Sequence, residues 1–443
     1  MASAAEQLAA NLNLSAFGKA EELKKRLWFT LGALIIYRLG TYIPLPGINP
    51  LALAEIMNRN SNGILGMFNV FSGGAVARMA IFALNIMPYI SASIIIQLMT
   101  SVSKHLEALK KEGEQGRKKI TQYTRYGTVV LAALQAYGIA VGLEGAGRIV
   151  LDAGIFFRVS TVITLVGGTV FLMWLGEQIT ARGVGNGISL IIFSGIVAGI
   201  PNALISTFEL GRTGALPTFF LLVLVAMIGI VIAAIVFMER AQRRLLVQYP
   251  KRQVGRKMMG GEASHLPLKL NVSGVIPPIF ASSILLLPIT VANFSAGSGP
   301  EWLSTVTSLL GHGRPLYMLF YAAGIIFFCF FYTSIIFNPE DTAENLRKNG
   351  GFIPGIRPGG KTAEYINYIL TRLTVVGALY ITGVCLLPEI LVSQYSVPFY
   401  FGGTSLLIVV SVTMDTVAQI QSHLLAHQYE GLIKKSRLKG RGK

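Results

Sequence analysis

Ten stretches of this 443-residue chain stay apolar for about 17 to 25 residues, the length at which a helix crosses the hydrocarbon core of a bilayer. They fall near 27–44, 78–99, 124–142, 157–177, 187–207, 217–238, 273–293, 316–337, 367–388 and 399–419. In lipid every backbone polar group must be satisfied internally, so runs this long are predicted to be helices. Several contain Pro or Gly, as at Pro88, Pro277–Pro278 and Gly167–Gly168, which membrane helices tolerate where neighbours satisfy the freed groups. Composition agrees: 52% of the residues are hydrophobic and 13% charged. Both cysteines, Cys329 and Cys385, lie in apolar stretches without metal-ligand spacing, which reads as buried inert thiols. Neither a metal site nor a cofactor is expected.

The net charge of +17 could suggest nucleic acid, but its placement suggests topology. Basic residues cluster before the first run, between the second and third, sixth and seventh, and eighth and ninth, and after the tenth. On the other side fall only Arg59, Arg78, Arg148, Arg158, Arg212 and Arg314, with Arg38 inside the first run. By the positive-inside rule both termini are cytoplasmic. The opening MASAAEQLAANLNLSAFGKAEELKK lacks a short apolar core with a cleavage site, so the first span is expected to act as its own insertion signal. Without a transit peptide, a bacterial cytoplasmic membrane is favoured over a plastid.

Ten spans divide into two groups of five, and an odd number per half inverts the second half against the first. The expected fold is therefore all-α and polytopic, with ten transmembrane helices in two inverted five-helix halves around a central pore. The boundaries read as a cytoplasmic N-terminal segment 1–26, a first half 27–210, a second half 211–420 and a basic cytoplasmic tail 421–443. Within the second half, 239–271 and 338–366 are the long cytoplasmic loops.

In one of these loops, GIRPGGKT, Gly355 to Thr362, has the letters of a P-loop, which needs a buried strand before it and a helix after it. The preceding NPEDTAENLRKNGGFIP is polar, and Pro358 deletes an N–H from the loop itself. The expectation is a stiff turn presenting Arg357 at its tip, suited to an acidic or phosphate-bearing partner; an ordinary connector is the plainer alternative. The loop between spans six and seven carries Arg240, Arg243, Arg244, Lys251, Arg252, Arg256, Lys257 and Lys269. These charges set topology and meet anionic lipid headgroups, while the interleaved Leu245, Leu246, Val247 and Tyr249 favour a β-hairpin finger able to grip RNA phosphates.

Five stretches together resemble the SecY family, which includes Sec61-alpha and forms the channel subunit of protein-conducting translocons. They are WLGEQITARGVGNGISLIIFSGIVAGIP, MFNVFSGGAVARMAIFALNIMPYISASIIIQL, VSGVIPPIFASSILLLP, GFIPGIRPGGKTAEYI and FYFGGTSLLIVVSVTMDT. The resemblance implies a passive pore for unfolded chains that opens sideways for apolar helices. It implies a pore ring of Ile86, Ile90, Ile188, Ile192, Ile279 and Ile408; on the residues alone, isoleucines at helical spacing equally face lipid or neighbours. Such a ring closes around varied polypeptides without binding them and resists wetting by ions.

A plug over 62–75 is also implied, with Gly63, Ile64, Leu65, Met67, Phe68, Phe71, Gly73 and Gly74. The residues alone allow an interfacial loop there too. The implied seam between spans two and three and spans seven and eight would carry Ser91, Gln97, Asn271 and Ser282, which generic polar helix packing would also explain. Implied partners are SecE- and SecG-type small membrane subunits, the SecA motor ATPase, the ribosome through ribosomal RNA, signal sequences and unfolded preproteins. Arg243, Arg244, Lys251, Arg252, Arg256 and Arg357 are the candidate docking residues for motor and ribosome.

An ion-coupled transporter is the rival reading, but it needs ionisable groups near the bilayer midplane. Arg38, Glu177 and Asp415 form no evident pair. A membrane hydrolase fares no better, because His105, His265, His312, His423 and His427 all lie outside the centres of the spans. The expected activity is not enzymatic.

Overall fold

The structure, a computed structural model, describes residues 20–50, 52–53, 69–145, 149–213, 217–249, 252–254, 257–259, 263–294, 314–395 and 403–439. Its helices are α1 (Glu21–Gly40), α2 (Met87–Val102), α3 (Lys104–Lys111), α4 (Glu114–Gly145), α5 (Ile155–Arg182), α6 (Gly187–Arg212), α7 (Thr218–Arg240), α8 (Ile276–Phe294), α9 (Pro315–Ile336), α10 (Pro339–Lys348), α11 (Gly360–Tyr395) and α12 (Gly403–Lys439). Between α7 and α8 lie four strands, β1 (Gln242–Gln248), β2 (Arg252–Val254), β3 (Lys257–Met259) and β4 (Ala263–Lys269).

Each predicted span coincides with one of these helices: α1, α2, α4 to α9, α11 and α12. Among the described residues, seven helices are long and apolar enough to cross a membrane, while Met87–Val102 and Ile276–Leu285 are shorter apolar helices. The second span departs from its predicted limits of 78–99. Residues 78–86 are turns, with an isolated antiparallel bridge between Pro44 and Ala80, and helix begins only at Met87. Met79 and Asn85 hold positive φ of 42° and 49°, which an α-helix excludes. Pro88, which has no N–H to donate, sits in the first turn of α2, where none is needed.

The chain forms two compact units. One comprises Met1–Ile205, Pro288–Thr305 and Ile408–Lys443. In it α4 presents Ala132, Ala136 and Ala140 at every fourth position, all fully buried with Phe157 and Leu165 of α5. Small side chains let helix backbones approach, which drives association where lipid is as apolar as leucine. Arg125 of α4 grips Glu177 of α5 through two bonds, Nε to Oε1 at 2.9 Å and Nη2 to Oε2 at 2.7 Å. The turn between α5 and α6 is tied down on two sides. Val184 N donates to Thr30 Oγ1 of α1 at 3.0 Å, and Gly185 N donates to Gln419 Oε1 of α12 at 2.7 Å.

The second unit comprises Ser206–Leu287 and Val306–Leu407. Here Phe280 of α8 meets Phe328 and Tyr332 of α9 edge-on. Antiparallel β1 and β4 pair from Gln242↔Lys269 to Gln248↔Ala263, and β2 pairs with β3, so the basic loop is the hairpin that Leu245, Leu246, Val247 and Tyr249 favour. Leu245, Val247 and Leu268 from its inner face pack with Ile353, Ile366, Ile369 and Leu370. The polar stretch between α9 and α11 contains α10. Asn338 Oδ1 accepts from Glu340 N at its start, acidic residues fill the first turn, and Arg347 and Lys348 close the last, matching the helix dipole at both ends.

Candidate functional site

Only the end of the predicted plug lies within the described residues; Gly63, Ile64, Leu65, Met67 and Phe68 fall outside them. Residues 69–71 make a single helical turn and 72–86 are non-helical, so carbonyls here need partners from elsewhere. Three successive ones find them in side chains. Asn85 Nδ2 donates to Phe71 O at 2.7 Å, Tyr37 OH to Ser72 O at 3.3 Å, and Arg38 Nη1 to Gly73 O at 2.6 Å. Arg78 Nη2 donates to the same Gly73 carbonyl at 3.1 Å, and its Nε to Thr41 O at 3.1 Å.

The two guanidinium groups share Tyr42. Arg78 Cζ lies 4.1 Å and Arg38 Cζ 4.9 Å from the ring centroid, while Arg38 Nη2 donates to the Tyr42 hydroxyl at 2.9 Å. Backbone carbonyls and an aromatic face thus take the place of acidic partners around both charges. Downstream, Tyr37, Phe82 and Phe171 stack in sequence, fixing the turn segment against α1 and α5. In the sequence Arg38 reads only as a possible midplane ion, and nothing marks out Tyr37 or Asn85. The available signal is an arginine in a span with no acid to meet it.

The implied ring residues divide five to one between the units. Ile86 forms the N-cap of α2 and Ile90 lies in its first turn, Ile90 N donating to Ile86 O. Ile188 and Ile192 stand one turn apart on α6, and Ile408 is in α12. Ile86, Ile90, Ile192 and Ile408 are buried and Ile188 is half-buried. Ile188 packs against Gly176 of α5, its Cγ1 3.2 Å from where a Cβ on that glycine would stand. Ile279, half-buried in α8, belongs to the second unit, and its carbonyl accepts from Ser282 and Ser283.

Among the seam candidates, Ser91 is buried on α2, and Gln97 Nε2 donates to Ser93 Oγ while its buried Oε1 has no partner. Ser282 is buried on α8. Asn271 is engaged within its own unit: Nδ2 donates to Glu239 Oε1 at 2.6 Å and to Gly274 O, while Oδ1 accepts from Ser273 Oγ and Gly274 N.

On the hairpin, Arg243 and Arg244 are exposed on β1, and Arg252 lies in β2 opposite Met259. Lys251 and Arg256 fall outside the described residues. Gln248 and Phe352 exchange backbone bonds at 2.9 and 3.0 Å, welding the hairpin to the Gly351–Gly359 turns that present the exposed Arg357. An open groove there is lined by Arg243, Arg244, Leu246, Ile353, Pro354 and Tyr365. The P-loop lettering has no P-loop geometry. Phe352 makes an isolated antiparallel bridge rather than a buried strand, and Lys361, which would turn over the phosphates, pairs with Glu364 at 2.9 Å.

The apolar helices, the irregular segment held among α1, α5 and α6, and the basic hairpin define a multi-pass helical membrane protein. The sequence profile of the SecY family matches residues 80–417, and this chain belongs to that family. It is 58% identical over 422 residues to the protein translocase subunit SecY of Rickettsia felis, covering 94% of this chain and 97% of that one. Its fold is similar to a solved structure in which the plug domain of a SecY protein is described as stabilising the closed state of the translocation channel, with TM-score 0.65, 17% identity, and 91% and 93% of the two chains covered. Sec61 in the canine ribosome-channel complex from the endoplasmic reticulum is similar at TM-score 0.64 and 16% identity, again over 91% and 93%.

Proposed function

We propose that this chain is the pore-forming subunit of a protein-conducting channel, translocating unfolded secretory polypeptides and releasing transmembrane helices sideways into lipid. The observation that carries the reading is identity of 58% with a protein translocase subunit across nearly the whole of both chains. Ile86, Ile90, Ile188, Ile192, Ile279 and Ile408 form the constriction, residues 62–75 the plug, and Ser91, Gln97, Asn271 and Ser282 the polar part of the seam. Hydrogen bonds of this kind contribute about 0.6 to 2 kcal/mol each in lipid, enough to hold a seam shut and little enough to let it part. Two inverted five-span halves, 27–210 and 211–420, surround the pore, with both termini on the cytoplasmic side of a bacterial inner membrane.

The chain supplies no energy of its own in this reading. Small membrane subunits of the SecE and SecG type brace it, the SecA motor drives secretory chains, the ribosome delivers membrane proteins, and anionic lipids meet the basic loops. The weld between the hairpin and the 351–359 turns supports a shared docking platform, since Arg243, Arg244 and Arg357 are all exposed on it. Arg357→Glu is expected to lower ATP-dependent, motor-driven uptake of a preprotein into proteoliposomes about tenfold, as for a lost charge contact with a partner. Assembly in the membrane should be unchanged. Uptake equal to the parent protein would remove Arg357 from the platform. The experiment that tests the function itself is that same uptake assay with and without the motor.

A further inference from the structure

We propose that Tyr37, Arg38 and Asn85 are positioning residues that latch the C-terminal hinge of the plug, with Gly195 as the seat against which the hinge closes. The proposal rests on the plug reading of residues 62–75. Phe71, Ser72 and Gly73 give up their carbonyls to four side chains, Tyr37 and Arg38 of α1 and Arg78 and Asn85 of the turns before α2, with Ser72 O also accepting from Ala75 N at 3.3 Å. A helix holds its carbonyls with its own backbone and releases them only by unfolding. A hinge held by side chains can let go while every neighbouring helix stays intact.

The seat is equally specific. A Cβ on Gly195 of α6 would stand 2.5 Å from Phe71 O, 3.1 Å from Tyr37 OH and 3.2 Å from Gly73 N. Gly73, at φ +64°, faces it in turn, its own Cβ position 3.1 Å from Gly195 Cα. Two backbones therefore meet with no side chain between them, and any residue other than glycine at 195 pushes the hinge away.

Asn85 gives the latch its direction. It is buried and adopts φ 49°, a conformation that Asn tolerates better than other non-glycine residues. Its Oδ1 is buried without a partner, so the bond from Nδ2 to Phe71 O is what the amide contributes. Two residues later α2 begins, carrying Ile86 at its cap and the seam candidates Ser91 and Gln97 along its length. The amide therefore ties the Phe71 carbonyl to the turn that enters α2.

The test is hydrogen exchange of the full chain in lipid nanodiscs, read on peptides covering 70–77, beside iodide influx into proteoliposomes. The amides of Gly73, Gly74 and Ala77, bonded to Val70 O, Asn69 O and Asn69 Oδ1, report hinge opening. Asn85→Gly removes the side chain and keeps the left-handed backbone unstrained, and Tyr37→Phe removes one hydroxyl. Arg38→Gln and Gly195→Ala complete the set. Exchange over 70–77 is expected to quicken about fivefold or more in Asn85→Gly, with α4 and α5 unaltered. Unaltered exchange in both Asn85→Gly and Tyr37→Phe overturns the latch, whatever the two other variants do. Faster exchange with faster iodide influx supports latch and plug together. Faster exchange with unchanged influx keeps the latch and counts against the plug reading instead.

Discussion

Val247→Asp is expected to free the Gly351–Gly359 turns from the hairpin and to raise their cleavage by added protease about a hundredfold, the factor that roughly 3 kcal/mol commands. Val247 is 2% exposed and packs with Leu245, Leu268, Ile353 and Ile366. Gly351 rests directly on it, with Val247 Cγ1 3.1 Å from the glycine's Cβ position. An ionised carboxylate in that cluster finds no cationic partner among the clustered residues, and burying one unpaired costs several kcal/mol. The weld at Gln248 and Phe352 is only one pair of backbone bonds and cannot offset that. Motor-driven uptake should fall with it, since the turns that present Arg357 lose their attachment to the hairpin, while the membrane helices remain inserted. Val247→Ala, which only shortens the side chain, should move cleavage far less. Cleavage of the Asp variant at the parent rate would show that the platform is held by something other than this cluster.

The second large effect concerns ions. Replacing Ile86 and Ile192 together with Ser is expected to raise iodide influx into proteoliposomes about tenfold or more, because hydroxyls in a narrow apolar constriction let water persist there. Both residues are buried, at 1% and 6% exposure. Each substitution also removes packed methyl groups at a cost of about 2 to 4 kcal/mol, so thermal unfolding must be recorded beside the influx. A less stable protein whose influx matches the parent would place these two side chains in packing and not in the constriction.

The helices are the legible part of this chain, because span length is set by bilayer thickness. The hairpin is legible too, from the β propensity of Leu245, Leu246, Val247 and Tyr249 among the basic residues. What escapes is set by tertiary interactions. The late start of α2 depends on positive φ at Met79 and Asn85, and neither residue advertises that conformation as glycine would. Helix α10 hides in a polar stretch that is conspicuous for its lack of apolar strand character, although Asn338 and Pro339 ahead of Glu340 and Asp341 are capping signals. At the hinge, the bonds from Tyr37 and Arg38 reach carbonyls 35 residues away, and carbonyls leave no mark in a sequence. The P-loop letters show the reverse error a motif can invite: all the residues are present, and Lys361 turns to Glu364.

The central claim, that an unfolded chain passes a ring of six aliphatic side chains, is tested most directly by stalling a translocating preprotein whose mid-segment carries one photoreactive residue. The account predicts adducts at positions 86, 90, 188, 192, 279 and 408, shifting around that set as the probe is moved along the substrate. Adducts concentrated elsewhere, with those six positions unlabelled, would contradict it.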